Sequence, residues 1–295
     1  MFGRRHTKAG ATVNVSGMTN FTSKNSKSER DLTARDEPTL PLPQKRRAPT
    51  RQLSNGDLKL KPKATSNHLL SLLPSKDRVR LTALCDTVQL TLGEVLAESG
   101  TTTSFVYFPM DSFISLIAQT DGKLGLEVGM AGREGMLGAQ LTVGVNIAPL
   151  HAVVQGAGSA LRLRAAAFKR EIDGSPAVRR IMGKHLYVQN TQLAASAACV
   201  RFHLVGPRLA RWLLMSQDRA RADTFDVTHK FLAYMLGVRR VSVTTAAVAM
   251  HRSGLVSYRR GELTVLDRKG LEKAACSCYR ANRQLYDKLL PGVGL

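Results

Sequence analysis

The sequence predicts an α+β fold in which short antiparallel strands precede a largely helical carboxyl-terminal half. Three observations carry this. Between Thr87 and Gly158, short apolar runs of period two are separated by turn residues rich in Gly and Asp. From Ser175 to about Phe202 the period lengthens to that of a helix with few breakers. Beyond Pro207, short helical patterns surround a single hairpin pattern. Alternation with frequent turns marks an antiparallel sandwich or barrel, whereas the longer period marks amphipathic helices.

The elements follow in order. Helical patterning opens at Asn67–Leu73 and resumes from Val79 to Leu84. The β-type runs are Val88–Leu90, Glu94–Leu96, Phe105–Phe108, Phe113–Ile117, Leu124–Val128 and Ala152–Gln155. Helical character returns at Arg164–Phe168. Ser175-Pro176 then reads as an N-cap followed by Pro at the first helical position. In the long helix that follows, Ile181, Val188, Ala195 and Phe202 recur every seventh residue. His185, Gln192 and Cys199 lie four beyond the first three, while Met182, Leu186 and Leu193 make a second row. Two stripes suit a helix that packs on its own domain and also pairs with a partner helix. A singly buried helix would give the same pattern. Another helix is expected over Arg208–Met215.

Composition bounds the function. The 295 residues hold 43 Lys+Arg against 22 Asp+Glu, a net charge of +21, and 43% are apolar. That is enough to build a core, and the charge favours a polyanionic partner, nucleic acid or an anionic membrane. No apolar run approaches the ~20 residues of a membrane span, so no membrane association is expected. Cys85, Cys199, Cys276 and Cys278 are too dispersed for a disulfide framework, and a cytoplasmic protein is the expectation. Residues 1–63 concentrate 14 Lys/Arg against 5 Asp/Glu, with few aliphatic residues, and are expected to be a disordered basic arm. The remaining divisions are a strand-rich domain at 64–174, the long helix at 175–204 and a helical domain with a hairpin at 205–295.

Function is concentrated around residues 226–266. Thr228 is placed to cap a short helix whose Leu232, Ala233 and Leu236 point inward. Gly237 permits a sharp turn. A second helix starts at Arg239, with Val238, Val243 and Ala246 facing the first and Arg239, Arg240, Thr244 and Thr245 facing out. This is the helix-turn-helix layout, whose second helix can enter a major groove. Leu255–Tyr258 and Leu263–Leu266 follow as a hairpin tipped by Arg259-Arg260-Gly261-Glu262, a wing able to touch phosphates. The residues expected at duplex DNA are Thr228, His229, Arg239, Arg240, Val241, Ser242, Thr244, Thr245, Tyr258, Arg259 and Arg260.

With these motifs the chain resembles the Crp/Fnr superfamily of bacterial transcription regulators over about residues 66–290. Thr228–Val243 aligns with the family's helix-turn-helix without gaps. Leu90–Gly100 matches its Gly-Glu turn and later Gly, and Val106–Pro109, Gly132–Gly138 and Asp267–Glu272 look like an effector-undefined branch. The resemblance implies an amino-terminal antiparallel β-roll of the cyclic-nucleotide-binding kind, a long dimerisation helix and a carboxyl-terminal winged helix-turn-helix. It also implies a homodimer, with pairing through Ile181, His185, Val188, Gln192, Ala195, Cys199 and Phe202. The implied partners are double-stranded DNA, RNA polymerase and an unidentified small-molecule or protein effector of the β-roll. A constitutive or partner-controlled regulator, with the roll as scaffold, is the alternative.

Departures from the family sharpen this. Where cyclic-AMP binders place a Glu after a Gly, the chain has Gly138-Ala139, and the position of their Arg-Ser pair falls near Leu150-His151. These four residues outline the expected effector pocket. Without a ribose acceptor or a cation for the phosphate, cyclic AMP is not the expected ligand. In the second DNA helix Arg240 is kept, while Val241 and Thr245 replace the family's Glu and later Arg.

No cofactor or metal is expected. Cys276-Ser277-Cys278 offers two thiols without a second pair nearby, Cys199 and Cys85 belong to other parts of the chain, and structural zinc needs four ligands. A cupin-like metalloenzyme would need a His-x-His and a carboxylate on adjacent strands, but the strand region holds only His151. The chain is therefore not expected to be an enzyme.

Overall fold

Two antiparallel sheets make the amino-terminal half. A computed structural model describes residues 66–120, 125–220, 222–259 and 261–292, all within one compact unit. The expected basic arm lies outside the described residues, as do Leu124 and Arg260. Short helices α1 (His68–Ser71) and α2 (Ser75–Ala83) lead into strands β1 (Asp86–Leu90), β2 (Val95–Ala97), β3 (Phe105–Pro109), β4 (Phe113–Gln119), β5 (Gly125–Ala131), β6 (His151–Gly156) and β7 (Gly158–Arg164). One sheet has the order β1-β7-β3 and the other β2-β6-β4-β5. Leu90, Ile114, Leu116, Ala152, Val154 and Ala160, drawn from both, form a shared apolar core.

Strand β7 is not among the expected runs, the last of which is Ala152–Gln155, with helical character expected from Arg164. The structure places the helix start one residue later, at α3 (Ala165–Gly174). Leu163 is buried, while Arg162 lies over the Phe105 ring at 4.7 Å and reaches Asp86 at 3.3 Å on the neighbouring strand. The alternation of apolar residue and cation is that of a half-buried strand.

Helix α4 (Pro176–Phe202) begins where Ser175 Oγ accepts the Val178 N–H at 3.2 Å, with Pro in its first turn. Its inward face is Val178, Met182, His185, Val188, Gln192, Ser196 and Cys199. His185 lies over Gly135, where a Cβ would come within 2.5 Å of the ring, and its Nε2 accepts the Met136 N–H at 3.2 Å. The stripe expected to meet a partner helix is thus corrected. His185, Val188, Gln192 and Cys199 are buried in the chain's own core, Ile181 and Ala195 are half-buried, and Phe202 alone is well exposed. A heptad identifies a stripe but not what covers it.

The remaining elements are α5 (Val205–Ala220), β8 (Thr224–Asp226), α6 (His229–Leu236), α7 (Arg240–Arg252), β9 (Val256–Arg259), β10 (Glu262–Val265), α8 (Arg268–Ala274) and α9 (Cys278–Leu289). The hairpin gains an unexpected third strand, since β8 pairs with β10. Helix α5 unites the two halves. Trp212, Leu213 and Met215 pack in one core with Phe113, Ile117, Met130 and Val153 of the roll and with Phe231 and Leu232 of α6. At this junction Arg219 of α5 and Glu134 are each 1% exposed, with Nη2 and Oε1 2.7 Å apart. Gly132 makes room for the pair, for a Cβ there would fall 2.6 Å from Glu134 Oε2 and 2.9 Å from Arg219 Cγ.

Candidate nucleic-acid interface

Local chemistry builds the two-helix unit. Thr228 Oγ1 accepts the Phe231 N–H at 3.1 Å, capping α6. The helix ends at Gly237, φ +61°, a left-handed conformation that other residues adopt only with strain. Helix α7 then leaves at 110° to α6, within the range of helix-turn-helix units. Leu232, Ala233 and Leu236 of α6 and Val243 and Ala247 of α7 are buried in the crossing. Arg239, Arg240, Val241 and Thr245 are left exposed, with Ser242 and Thr244 half-buried. Among the described residues neither Arg239 nor Arg240 forms an ion pair, so both guanidinium groups are available to an external anion.

Thr244, His229 and Tyr258, all expected at the DNA, have polar atoms engaged within the protein. The Thr244 hydroxyl donates to Arg240 O at 3.1 Å, which leaves His229 Nδ1 as the donor to Thr244 Oγ1 at 2.9 Å. The same imidazole stacks on Tyr258 of β9 at 4.6 Å, and the Tyr258 hydroxyl donates to Val227 O at 3.0 Å. Burial, and then the Arg240 charge, lower the His229 pKa. His229 therefore joins α6, α7 and the wing, a role that a lone His at a helix start does not announce. At the wing tip Gly261 has φ +91° and Arg259 is exposed, next to Arg260, which lies outside the described residues.

Residues 207–274 match the family model of the Crp-like helix-turn-helix domain. The chain carries a Crp-like helix-turn-helix domain. Solved structures share its fold. A Crp/Fnr-family regulator from Eubacterium rectale is 16% identical with a TM-score of 0.56, covering 70% of this chain and 96% of its own. The c-di-GMP-responsive global regulator CLP of Xanthomonas campestris is 15% identical with a TM-score of 0.55, covering 66% and 100%. A Crp/Fnr-family regulator from Thermus thermophilus is 20% identical with a TM-score of 0.54, covering 64% and 98%. No curated protein sequence matches. The domain match covers residues 207–274, and over the rest of the chain the likeness to these regulators is one of fold. Among the described residues no single helix is long and apolar enough to cross a membrane.

The roll that accompanies the Crp-like domain contains a cavity of about 330 Å³, closed on one side by Leu186, Gln189, Asn190 and Leu193 of α4. Its floor and walls include Leu96, Thr101 to Phe105, Tyr107, Leu116, Gln140 and Pro149. Of the four residues expected to outline an effector pocket, Gly138 and Leu150 line it. Ala139 and His151 do not. Both are buried, and His151 Nδ1 donates to Glu98 Oε2 at 2.7 Å. The lining consists of aliphatic groups, two aromatic rings, hydroxyls and amides. No single sequence motif marks this cavity, because its wall comes from five separate stretches.

The structure also corrects the view that the cysteines are scattered. Cys199 Sγ lies 3.7 Å from Cys276 Sγ, and Cys278 Sγ lies 3.6 Å from His203 Nδ1. The last turn of α4 has been folded onto the α8–α9 turn. Only Cys85 stands apart, its thiol pushed up to about 12 by burial, and then by Asp86.

Proposed function

We propose that the protein is a sequence-specific, homodimeric transcription regulator whose roll takes a neutral effector other than cyclic AMP. The observation that carries the DNA reading is the exposed, unpaired Arg239-Arg240 at the start of α7, presented at 110° to α6. Arg240 can hold a guanine bidentately, while the methyls of Val241 and Thr245 can meet a thymine methyl. Arg259 at the wing tip, with Arg260 beside it, would hold phosphates and position the domain.

A homodimer supplies two such helices about 34–36 Å apart, one DNA turn. Pairing through α4 would use its outward side, where Tyr187, Val200 and Phe202 are exposed, with Leu204 just beyond. RNA polymerase is the further partner that acting on transcription requires. The uncharged cavity lining supports a neutral effector, since a buried phosphate without a cation is costly. Because α4 closes the cavity, an occupant would touch the helix that leads to the Crp-like domain.

Genome-wide capture of bound DNA followed by fluorescence anisotropy tests this. Arg240→Ala is expected to lose ~1–3 kcal/mol on the captured site, with little change on random DNA. Equal losses on both would refute base readout by Arg240.

A further inference from the structure

The thiol cluster has a geometry that the DNA-binding function does not use. Cys199 and His203 stand one helical turn apart at the end of α4, and Cys276 and Cys278 flank Ser277 where α8 gives way to α9. One ligand atom from each, three sulfurs and a ring nitrogen, all lie within 4.8 Å of one another. Zinc binds Cys sulfur at ~2.3 Å and His nitrogen at ~2.0–2.1 Å, so a tetrahedral site spaces two sulfurs by ~3.8 Å and a sulfur and nitrogen by ~3.6 Å. The measured 3.7 and 3.6 Å are two opposite edges of such a tetrahedron.

The surroundings point the same way independently. Arg208 and Arg211 are 4% and 9% exposed, and neither forms an ion pair among the described residues. Arg208 donates to Leu236 O and Arg211 to Met215 Sδ, but the Nε of each has no partner. Buried cations without a counter-charge are costly. Cys199 and Cys276 are the electrostatic neighbours of Arg208, and Arg211 neighbours the cysteines and Glu127. Three thiolates and a neutral imidazole around a divalent ion leave a net negative charge beside these arginines.

We propose that Cys199, His203, Cys276 and Cys278 form a structural Zn2+ site that clasps the end of the long helix to the α8–α9 turn. The three thiols give up their protons to solvent as the metal binds. With Cys276 N–H donating to Pro207 O at 3.2 Å, the site spans the break between α4 and α5. It thereby sets how the Crp-like domain leaves the long helix.

The test uses the untagged full-length chain produced with zinc in the medium. Elemental analysis is expected to find about one zinc per chain. Cobalt(II) added to the metal-stripped protein is expected to give the intense visible bands of a tetrahedral thiolate complex. Cys276→Ser and His203→Gln are expected to lose the metal, and Cys85→Ser to keep it. Stripping is expected to lower the melting temperature, and zinc to restore it. A wild-type chain without stoichiometric zinc and without thiolate–cobalt bands would overturn the proposal, whatever becomes of the variants. So would a Cys199–Cys276 disulfide in freshly isolated protein, or loss of metal in Cys85→Ser equal to that in Cys276→Ser.

Discussion

Removing one half of the ion pair between Arg219 and Glu134 is expected to cost more than removing both. In Glu134→Leu the guanidinium keeps its Nη1 bond to Met215 O, at 2.9 Å, but loses its ion-pair partner in a place where it is 1% exposed. The Gly132 N–H, which donates to Glu134 Oε1 at 3.0 Å, loses its acceptor as well. Breaking a buried pair from one side costs ~3–5 kcal/mol, whereas replacing both partners with apolar groups is often neutral or stabilising. Glu134→Leu should therefore lower the unfolding free energy by ~3–5 kcal/mol, and Glu134→Leu with Arg219→Met should recover all but about 1 kcal/mol. The assay is urea denaturation followed by tryptophan fluorescence. Trp212 is the only tryptophan in the chain, is 2% exposed and sits on the same helix as Arg219. A Glu134→Leu loss below about 1 kcal/mol would show a solvated guanidinium and refute the reasoning.

The remaining expectations concern the wing, the His229 contacts and two buried titrating groups. Arg259→Ala or Arg260→Ala should weaken binding to all sequences alike and flatten the salt dependence by about one unit of slope, read from anisotropy titrations across ionic strength. His229→Leu removes a hydrogen bond of ~1 kcal/mol and a ring stack of ~0.5–1.5 kcal/mol, so stability should fall by about 2 kcal/mol. Affinity for every DNA sequence should fall with it, and unchanged binding would refute the positioning role. His185, pulled down to about 4 by burial, stays neutral in the fold while the unfolded chain protonates below 6.5. Stability from this group is full above that value and is lost as pH falls from 6.5 to 4, by ~3 kcal/mol. Glu127, pushed up to about 7 by burial, does the opposite: its contribution is full below 4.5 and is lost as pH rises to 7, again by ~3 kcal/mol. The two slopes oppose each other, so Glu127→Gln should uncover a rise in urea midpoint between pH 4 and 6.5. Identical pH profiles for this variant and the parent would contradict the Glu127 assignment, and a flat profile in the variant would contradict that of His185.

Features governed by neighbours a few residues away were legible in the sequence. Ser175-Pro176 opens α4, Thr228 caps α6, Gly237 turns left-handed and a hairpin follows α7, because capping bonds, φ restrictions and short pairings act over three to six residues. The same locality explains what was missed. In β7, Leu161 and Leu163 carry a period-two signal too short to outweigh the Ala run that follows. In β8, three residues gain strand character only through β10, nearly forty positions on.

By itself the sequence determined the class of the chain: strands, a long helix, and two short helices with arginines on the outer side of the second. Tertiary structure alone decided which face of α4 is covered, that Glu134 meets Arg219, and that Cys199 and His203 meet Cys276 and Cys278. The physical reason is that helix period and cap chemistry specify a surface and its polarity. What lies against that surface depends on packing of elements 77 or 85 residues apart, as Cys199 to Cys276 and Glu134 to Arg219 show, and no spacing rule reaches that far.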